Sequence, residues 1–338
     1  MPTLELSDLE RRVLSAIQAS FPVAERPFAT LGEQLGATEA EILACVRHLK
    51  DEGVIRRMGA IFDSAQLGYR STLCAIAVPE DRLDEVGALI SAYPNVTHNY
   101  QREDRYNIWF TLIAPSQERI EEILAQIAER TGIDDILNLP ATRLFKIRVD
   151  FDFTGQRAER SEAPPVIVPA EVVPVVFSED DKALARLLQA DLPVVERPFV
   201  EIVRALDELG FEMSEAGVIE RTAEWVDTHV IRRFGAALKH HRTGFTANAM
   251  GAWYCEPDRV EEVGRIMASF KEVSHCYERP TAPTWPVNIY TMIHGRSREE
   301  AVEAAARIQQ ATGLAAPRLL YSVREFKKSS MTYFAEEE

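Results

Sequence analysis

A chain of 338 residues, 46% of them hydrophobic, has room for two or three domains with real cores. Its net charge of −15 argues against a general binder of nucleic acid or anionic membrane, so an anionic ligand would need a locally basic pocket. No apolar run approaches the ~20 residues that span a bilayer. The acidic start "MPTLELSDLE" lacks the apolar core of a signal peptide. Four scattered cysteines (Cys45, Cys74, Cys255 and Cys276) form no C-x-x-C pair, which fits reduced thiols in a cytoplasm and neither structural zinc nor a disulfide framework.

In chain order, "SDLERRVLSAIQAS" opens with a capping box, Ser7 and Glu10, and has helical periodicity. A short helix is expected over roughly 28–36. "TEAEILACVRHLKDEG" carries a second box, Thr38 and Glu41, and stops at Gly53. "VIRRMGAIF" is then extended. Three helices and a strand predict a winged helix-turn-helix. Next come a strand in "STLCAIAV", a helix over 81–92, strands in "NVTHNYQR" and "YNIWFTLIA", a helix over 116–131 and a strand over 141–150. That order, βαββαβ, is the ferredoxin-like split βαβ.

The whole unit then recurs. "ERPF" stands at 25–28 and 196–199, "VIRRMGA" at 54–60 and "VIRRFGA" at 230–236. "TG" at 131–132 returns at 312–313, and "LFK" at 144–146 is echoed by "EFK" at 325–327. Second-copy strands are expected near 246–254, 271–279, 287–294 and 317–327. The fold class is therefore α+β, a tandem duplication of a winged helix-turn-helix plus a ferredoxin-like domain. The expected domains are 1–62 and 63–151 in the first copy, a charged then proline-rich linker over 152–177, and 178–240 and 241–330 in the second.

A helix-turn-helix suggests DNA. The third helix of each copy argues against it. Residues 38–53 hold Glu39, Glu41, Asp51 and Glu52 against Arg47 and Lys50; residues 214–228 hold Glu215, Glu220, Glu224 and Asp227 against Arg221. Such helices would be repelled by phosphates, so no nucleic-acid partner is expected.

The most specific repeat is "VTHNYQR" at 96–102 and "VSHCYER" at 273–279. On a strand, alternate side chains share a face, so Val96, His98, Tyr100 and Arg102 are expected to point one way, and Val273, His275, Tyr277 and Arg279 likewise. A polar row is costly to bury against helices, which places the stripe on the open face of each sheet. His near neutral pH moves protons or ligates iron, Tyr orients, and Arg forks onto a carboxylate. A solvated or interface-facing polar row is the plainer alternative, and the identical spacing in both copies argues against it. Further basic groups cluster on the wings, at Arg56, Arg57, Arg232 and Arg233, and after the second wing, at Lys239, His240 and His241. For the wing arginines a salt-bridged wing is the alternative.

The second copy also inserts "RPTAPTWP", whose Trp285 could wall a flat ligand, the alternative being a rigid hairpin. It holds five of the seven histidines, among them His294. It is therefore expected to carry the main site. The sequence has no Gly-rich phosphate loop, nucleophile elbow or metal-spaced cluster, so no protein metal site is expected.

"VIRRFGAALKHHRTGFTANAMGAWY" with "SHCYERP…WPVNIYTMIHG", and the first-copy stretches "VIRRMGAIF", "VTHNYQRE" and "YNIWFTL", resemble the siroheme decarboxylase family in its fused two-subunit form. The resemblance covers nearly the whole chain outside the linker. It implies the architecture of the leucine-responsive (AsnC-like) regulators, with siroheme as substrate and 12,18-didecarboxysiroheme as product, made by loss of CO2 from the C12 and C18 acetates on the way to heme d1 or heme. It implies no cofactor beyond the substrate's own iron. His275 or His98 would protonate the methylene left behind, with Tyr277 or Tyr100 as orienter, or either His would ligate the iron. Arg279, Arg102, the wing arginines, Lys239, His240, His241 and Trp285 would hold the polyanion. A cytoplasmic enzyme without membrane contact follows, with a homo-oligomer through the ferredoxin-like sheets as a further partner. An amino-acid-responsive transcription regulator of the same fold, or a non-catalytic tetrapyrrole carrier, is the alternative.

Overall fold

The computed structural model describes residues 6–147, 172–238 and 247–335, and the chain divides into two compact units. Most of the expected linker, together with Lys239, His240 and His241, lies outside the described residues.

The first unit gathers both helix-turn-helix segments. Helices α1 (Asp8–Ala19), α2 (Pro27–Leu35) and α3 (Glu39–Asp51) lead into strand β1 (Ile55–Phe62). Capping boxes start α1 and α3 at Ser7 and Thr38, as their spacing dictates. Pro27 opens α2, where its missing N–H costs nothing. The second copy repeats this as α6 (Glu179–Leu188), α7 (Pro198–Glu208), α8 (Glu215–Asp227) and β7 (Ile231–Leu238).

The two wings pair antiparallel, with Gly59 opposite Gly235. Here the glycines are required: a Cβ at position 59 would strike the Leu188 and Ala190 carbonyls, and one at 235 the Ile17 carbonyl. The repeated "ERPF" has a matching cause. Arg26 reaches Glu196 of the other copy at 2.7 Å, and Arg197 reaches Glu25 at 3.7 Å.

The second unit holds both ferredoxin-like segments. The first supplies β2 (Arg70–Ile76), α4 (Leu83–Ser91), β3 (Val96–Arg102), β4 (Ile108–Ala114), α5 (Gln117–Thr131), β5 (Ile136–Pro140) and β6 (Arg143–Ile147). The second supplies β8 (Ala247–Trp253), α9 (Val260–Ser269), β9 (Val273–Glu278), β10 (Ile289–Gly295), α10 (Arg298–Thr312) and β11 (Arg318–Lys328). All join one sheet in the order β5-β2-β4-β3-β11-β8-β10-β9-β6.

That order corrects the sequence reading of 141–150 as the fourth strand of its own domain. The strand beside β2 is β5, and β6 has crossed to pair with β9 of the second copy. β11 does both jobs in one run: Arg318–Tyr321 pair with β8, and Ser322–Lys328 pair with β3 of the first copy. The exchange accounts for the "LFK" and "EFK" repeats. The Phe145 ring lies over Gly264 of α9, and the Phe326 ring over Gly87 of α4; a Cβ at either glycine would overlap the ring. Lys146 Nζ then donates to the Phe270 carbonyl at the end of α9 (2.8 Å). Lys327 Nζ donates to the Ser91 and Tyr93 carbonyls at the end of α4 (2.9 and 2.8 Å). Each copy thus completes and caps the other's helix layer.

Helices back one face of each half-sheet. Cys74, Ile108, Phe110 and Leu112 pack on α4 and α5, and Ala249, Trp253, Ile289 and Ile293 on α9 and α10. The alternate residues Ala75, Trp109 and Leu139 of the first copy meet Met250, Tyr290 and Leu320 of the second in a third, shared core. The open sheet faces are therefore packed together inside one polypeptide.

Candidate functional site

The motif strands β3 and β9 each carry a bulge, and the bulges decide which side chains meet. Leu112 and Thr111 are consecutive on β4, yet they pair with Val96 and His98. Ile293 and Met292 pair with Val273 and His275 in the same way. Thr97 and Ser274 are the extra residues. Val96 and Val273 consequently face the helices, in the two helix-backed cores. This corrects the expectation that each valine shares a face with the triad that follows it. His98, Tyr100 and Arg102 lie on the opposite face, as do His275, Tyr277 and Arg279, since His275 pairs with Met292 and Tyr277 with Tyr290, both on the shared-core side.

Each histidine is half-buried and held by the bulge hydroxyl. His98 Nδ1 lies 3.0 Å from Thr97 Oγ1, and His275 Nδ1 lies 2.8 Å from Ser274 Oγ. Each ring lies beside the next tyrosine on that face, with centroids 6.2 Å apart in both copies. The serine of the second copy is tied further. Its Oγ is 2.6 Å from His294 Nε2, and His294 Nδ1 is 2.6 Å from Asn248 Oδ1. Burial pushes His294 down to about 4, with the Lys328 charge adding to the shift, so its ring is neutral near pH 7.

The two motif arginines are more deeply placed than a cavity-lining reading expects. Arg102 is 6% exposed; its Nη1 donates to the Leu320 carbonyl (2.9 Å) and Ser322 Oγ (3.1 Å) of the other copy. Burial draws it down to about 10. Arg279 Nη1 donates to the Leu139 carbonyl of the first copy, and its guanidinium lies over Tyr277, 4.7 Å from the centroid. The two side chains are reciprocal anchors between the copies. Neither has an ion-pair partner among the described residues, and the Nε of each is buried without an acceptor. Such cations can serve an incoming carboxylate.

Trp285 does not wall an open pocket. It is 1% exposed, packed against Tyr106 and Trp109 with centroids 5.7 and 5.4 Å away, and its Nε1 donates to Tyr290 Oη (2.9 Å). The Pro/Trp insertion closes as a hairpin through paired backbone bonds between Ala282 and Trp285. An indole this large is worth more buried in the shared core than exposed.

The wing arginines belong to the first unit. Arg57 is half-buried and donates to the Gln189 carbonyl, and Arg233 donates to the Gln18 carbonyl (3.1 Å). Arg56 and Arg232 are exposed. All four cysteines are buried, and the Cys74 thiol is pushed up to about 12 by desolvation, which leaves it inert. Among the described residues no cluster of His, Cys, Asp or Glu could hold a metal ion, and no helix is long and apolar enough to cross a membrane.

Sequence reasoning put each histidine and its tyrosine on one strand face, where the structure places them. It quoted the hydroxyl before each His without giving it a role, and it did not single out Asn248. Only the bulge, which pairing register reveals, turns Thr97 and Ser274 toward the imidazoles.

Comparison with known proteins agrees with this architecture. Residues 10–56 and 181–232 match the siroheme decarboxylase NirDL-like HTH domain, and residues 66–146 and 242–327 match the AsnC-like ligand binding domain. The chain is 37% identical over 327 residues to the siroheme decarboxylase of Hydrogenobacter thermophilus (strain DSM 6534 / IAM 12695 / TK-6), covering 96% of this chain and 95% of that one. It is similar to the crystal structure of the siroheme decarboxylase NirDL, with a TM-score of 0.74 and 34% identity over 97% of this chain and 95% of that chain. The same TM-score, at 32% identity and equal coverage, relates it to NirDL in co-complex with an iron-uroporphyrin III analogue. A duplicated helix-turn-helix and AsnC-like chain, matched from end to end at this identity, belongs to the siroheme decarboxylases, a family of carboxy-lyases.

Proposed function

We propose that this chain removes CO2 from the C12 and C18 acetates of siroheme, giving 12,18-didecarboxysiroheme for heme d1 or heme synthesis. One observation carries the residue-level reading: both motif strands present a hydroxyl-held histidine, with a tyrosine ring beside it, on the face that the helices leave uncovered. The iron-uroporphyrin analogue held by a neighbour of this fold supports a tetrapyrrole ligand.

The chemistry is balanced without an added cofactor. The bond between methylene and carboxylate breaks, CO2 leaves, and the electron pair is taken up by the conjugated macrocycle. The methylene carbon then needs one proton to become a methyl group. His275 is the donor in this reading, through Nε2, because Ser274 occupies its Nδ1. Tyr277 orients the imidazole. His98 and Tyr100 form the equivalent pair in the first copy. The alternative role, ligation of the substrate iron by His275 or His98, uses the same nitrogen. Arg102 and Arg279 offer their remaining N–H groups to carboxylates.

No nucleic-acid role is proposed. The cations of the third helices are engaged within the first unit. Arg47 donates to the Val194 carbonyl (2.8 Å), Lys50 pairs with Asp191 (2.7 Å), and Arg221 pairs with Asp181 (3.3 Å) and Glu224 (3.0 Å). Phosphates would find little free charge there. A cytoplasmic setting fits the four reduced thiols.

The test is to incubate the purified chain with siroheme and weigh the tetrapyrrole by mass spectrometry. Loss of two CO2 units per molecule is expected. A bound but unchanged tetrapyrrole would leave a carrier, and no binding would sink the reading.

A further inference from the structure

Asn248, His294, Ser274 and His275 form an unbroken hydrogen-bonded line across three neighbouring strands of the second copy. His294 and Asn248 are directly opposed on β10 and β8, and Ser274 is the bulge residue of β9. The line has a direction. Asn248 Oδ1 can only accept, so His294 carries its proton on Nδ1. His294 Nε2 is then a bare acceptor, and the Ser274 hydroxyl donates to it over 2.6 Å. With its hydrogen committed, Ser274 Oγ accepts from His275 Nδ1–H at 2.8 Å.

We infer that His294 and Asn248 are positioning residues for His275, holding its resting proton on Nδ1 and leaving Nε2 as the atom that takes up and delivers the catalytic proton. The inference rests on the reading of His275 as the proton donor. Its physical content is the choice of tautomer. An imidazole with Nδ1–H and a bare Nε2 gains a proton from solvent at Nε2, becomes imidazolium, gives that proton to the substrate methylene and returns to the form that Ser274 stabilises. Without His294 the Ser274 hydroxyl is free to rotate and donate to His275 Nδ1. The ring then rests with its proton on Nε2, a neutral and far weaker acid.

The first copy shows what the line adds. Thr97 holds His98 in the same way, at 3.0 Å. The position of His294 is taken by Ile113, whose cross-strand partner is Ser71 in place of Asn248. An isoleucine cannot accept the hydroxyl hydrogen. The three-member line behind the second copy's histidine thus has no counterpart at the equivalent positions of the first copy.

The test uses the full chain with His294→Ile and Asn248→Ser, which import the first copy's residues, and His294→Gln, whose amide oxygen can still accept from Ser274. Single-turnover decarboxylation, siroheme affinity by absorbance titration and the ring-nitrogen NMR shifts of His275 are measured on each. The expected result is a ~10–100-fold slower turnover for the first two variants, the usual scale for a partner behind a functional histidine. Siroheme affinity should be unchanged, the resting His275 proton should move from Nδ1 to Nε2, and His294→Gln should restore most of the rate. Asn248→Ser keeps the test open if His294→Ile fails to fold. Normal turnover and an unmoved proton in folded variants would overturn the inference, as would a rate loss matched by lost affinity. If His275→Ala itself turns over normally, the underlying reading falls with it; if His275→Ala is dead while His294→Ile is normal, only the positioning role is lost.

Discussion

The two copies share a motif strand and differ in what stands behind it. In both, a bulge hydroxyl holds a histidine and a tyrosine lies beside it. In the second copy a half-buried imidazole and an amide back that hydroxyl; in the first an isoleucine and a serine occupy those places. The comparison separates two demands on a duplicated chain. The parts that let the copies complete each other are duplicated faithfully: "ERPF", the wing glycines, Phe145 with Phe326, Lys146 with Lys327, and Arg102 with Arg279. The polar groups behind the histidine are not.

The shared parts predict the largest effects. Phe145→Ala removes a ring that is 1% exposed from the second copy's helix layer, and should cost about 3–5 kcal/mol. Phe326→Ala should cost less, because its ring is half-buried. Hydrogen exchange should place the damage across the duplication, in α9 for Phe145 and in α4 for Phe326. Damage confined to the mutated copy would contradict the exchange of strands. Next, Arg279→Ala should lower stability as well as siroheme affinity, by about 1.5–3 kcal/mol, since it deletes a charged donor to a buried carbonyl. Equal unfolding midpoints for variant and parent would return that arginine to a purely ligand-facing role.

A pH prediction sharpens the contrast. His294 is pushed from its ordinary 6.5 down to about 4 by burial. As pH falls below 6.5 the unfolded chain takes up a proton that the folded chain refuses until about 4, so this group lowers stability across that window and contributes nothing above it. His294→Ile should flatten that part of the profile, read from denaturant midpoints between pH 7 and 4. Parallel profiles would mean that His294 is not held neutral. The smallest effect is expected at the exposed "ERPF" pairs. Arg26→Ala should change stability by at most about 1 kcal/mol, and a thermal scan in which it unfolds the wing pair would show those pairs to matter more than their exposure suggests.

Much of this was legible in the sequence because it is local. Capping boxes and periodicity located the helices, and the duplication and the βαββαβ order followed from repeated words. The crossing of β6 was not legible, since "LFK" reads as a strand whichever sheet it joins. Trp285 looked available because connecting loops usually run over the surface, yet the shared core claims it. The bulges were invisible for a similar reason: strand alternation put Val96 with His98, and only the pairing register moves them to opposite faces. His294 was noticed as an extra histidine, while its partner Asn248 carried no signal in the spacing.

The central claim is that the second copy's histidine delivers the proton. Single-turnover decarboxylation of siroheme by His275→Ala and His98→Ala, with the products weighed by mass spectrometry, tests it most directly. The account predicts a ~10²–10⁴-fold loss for His275→Ala, the scale of a general acid, and a smaller loss for His98→Ala that falls mainly on binding. Greater damage in His98→Ala, or equal damage in both, would contradict it.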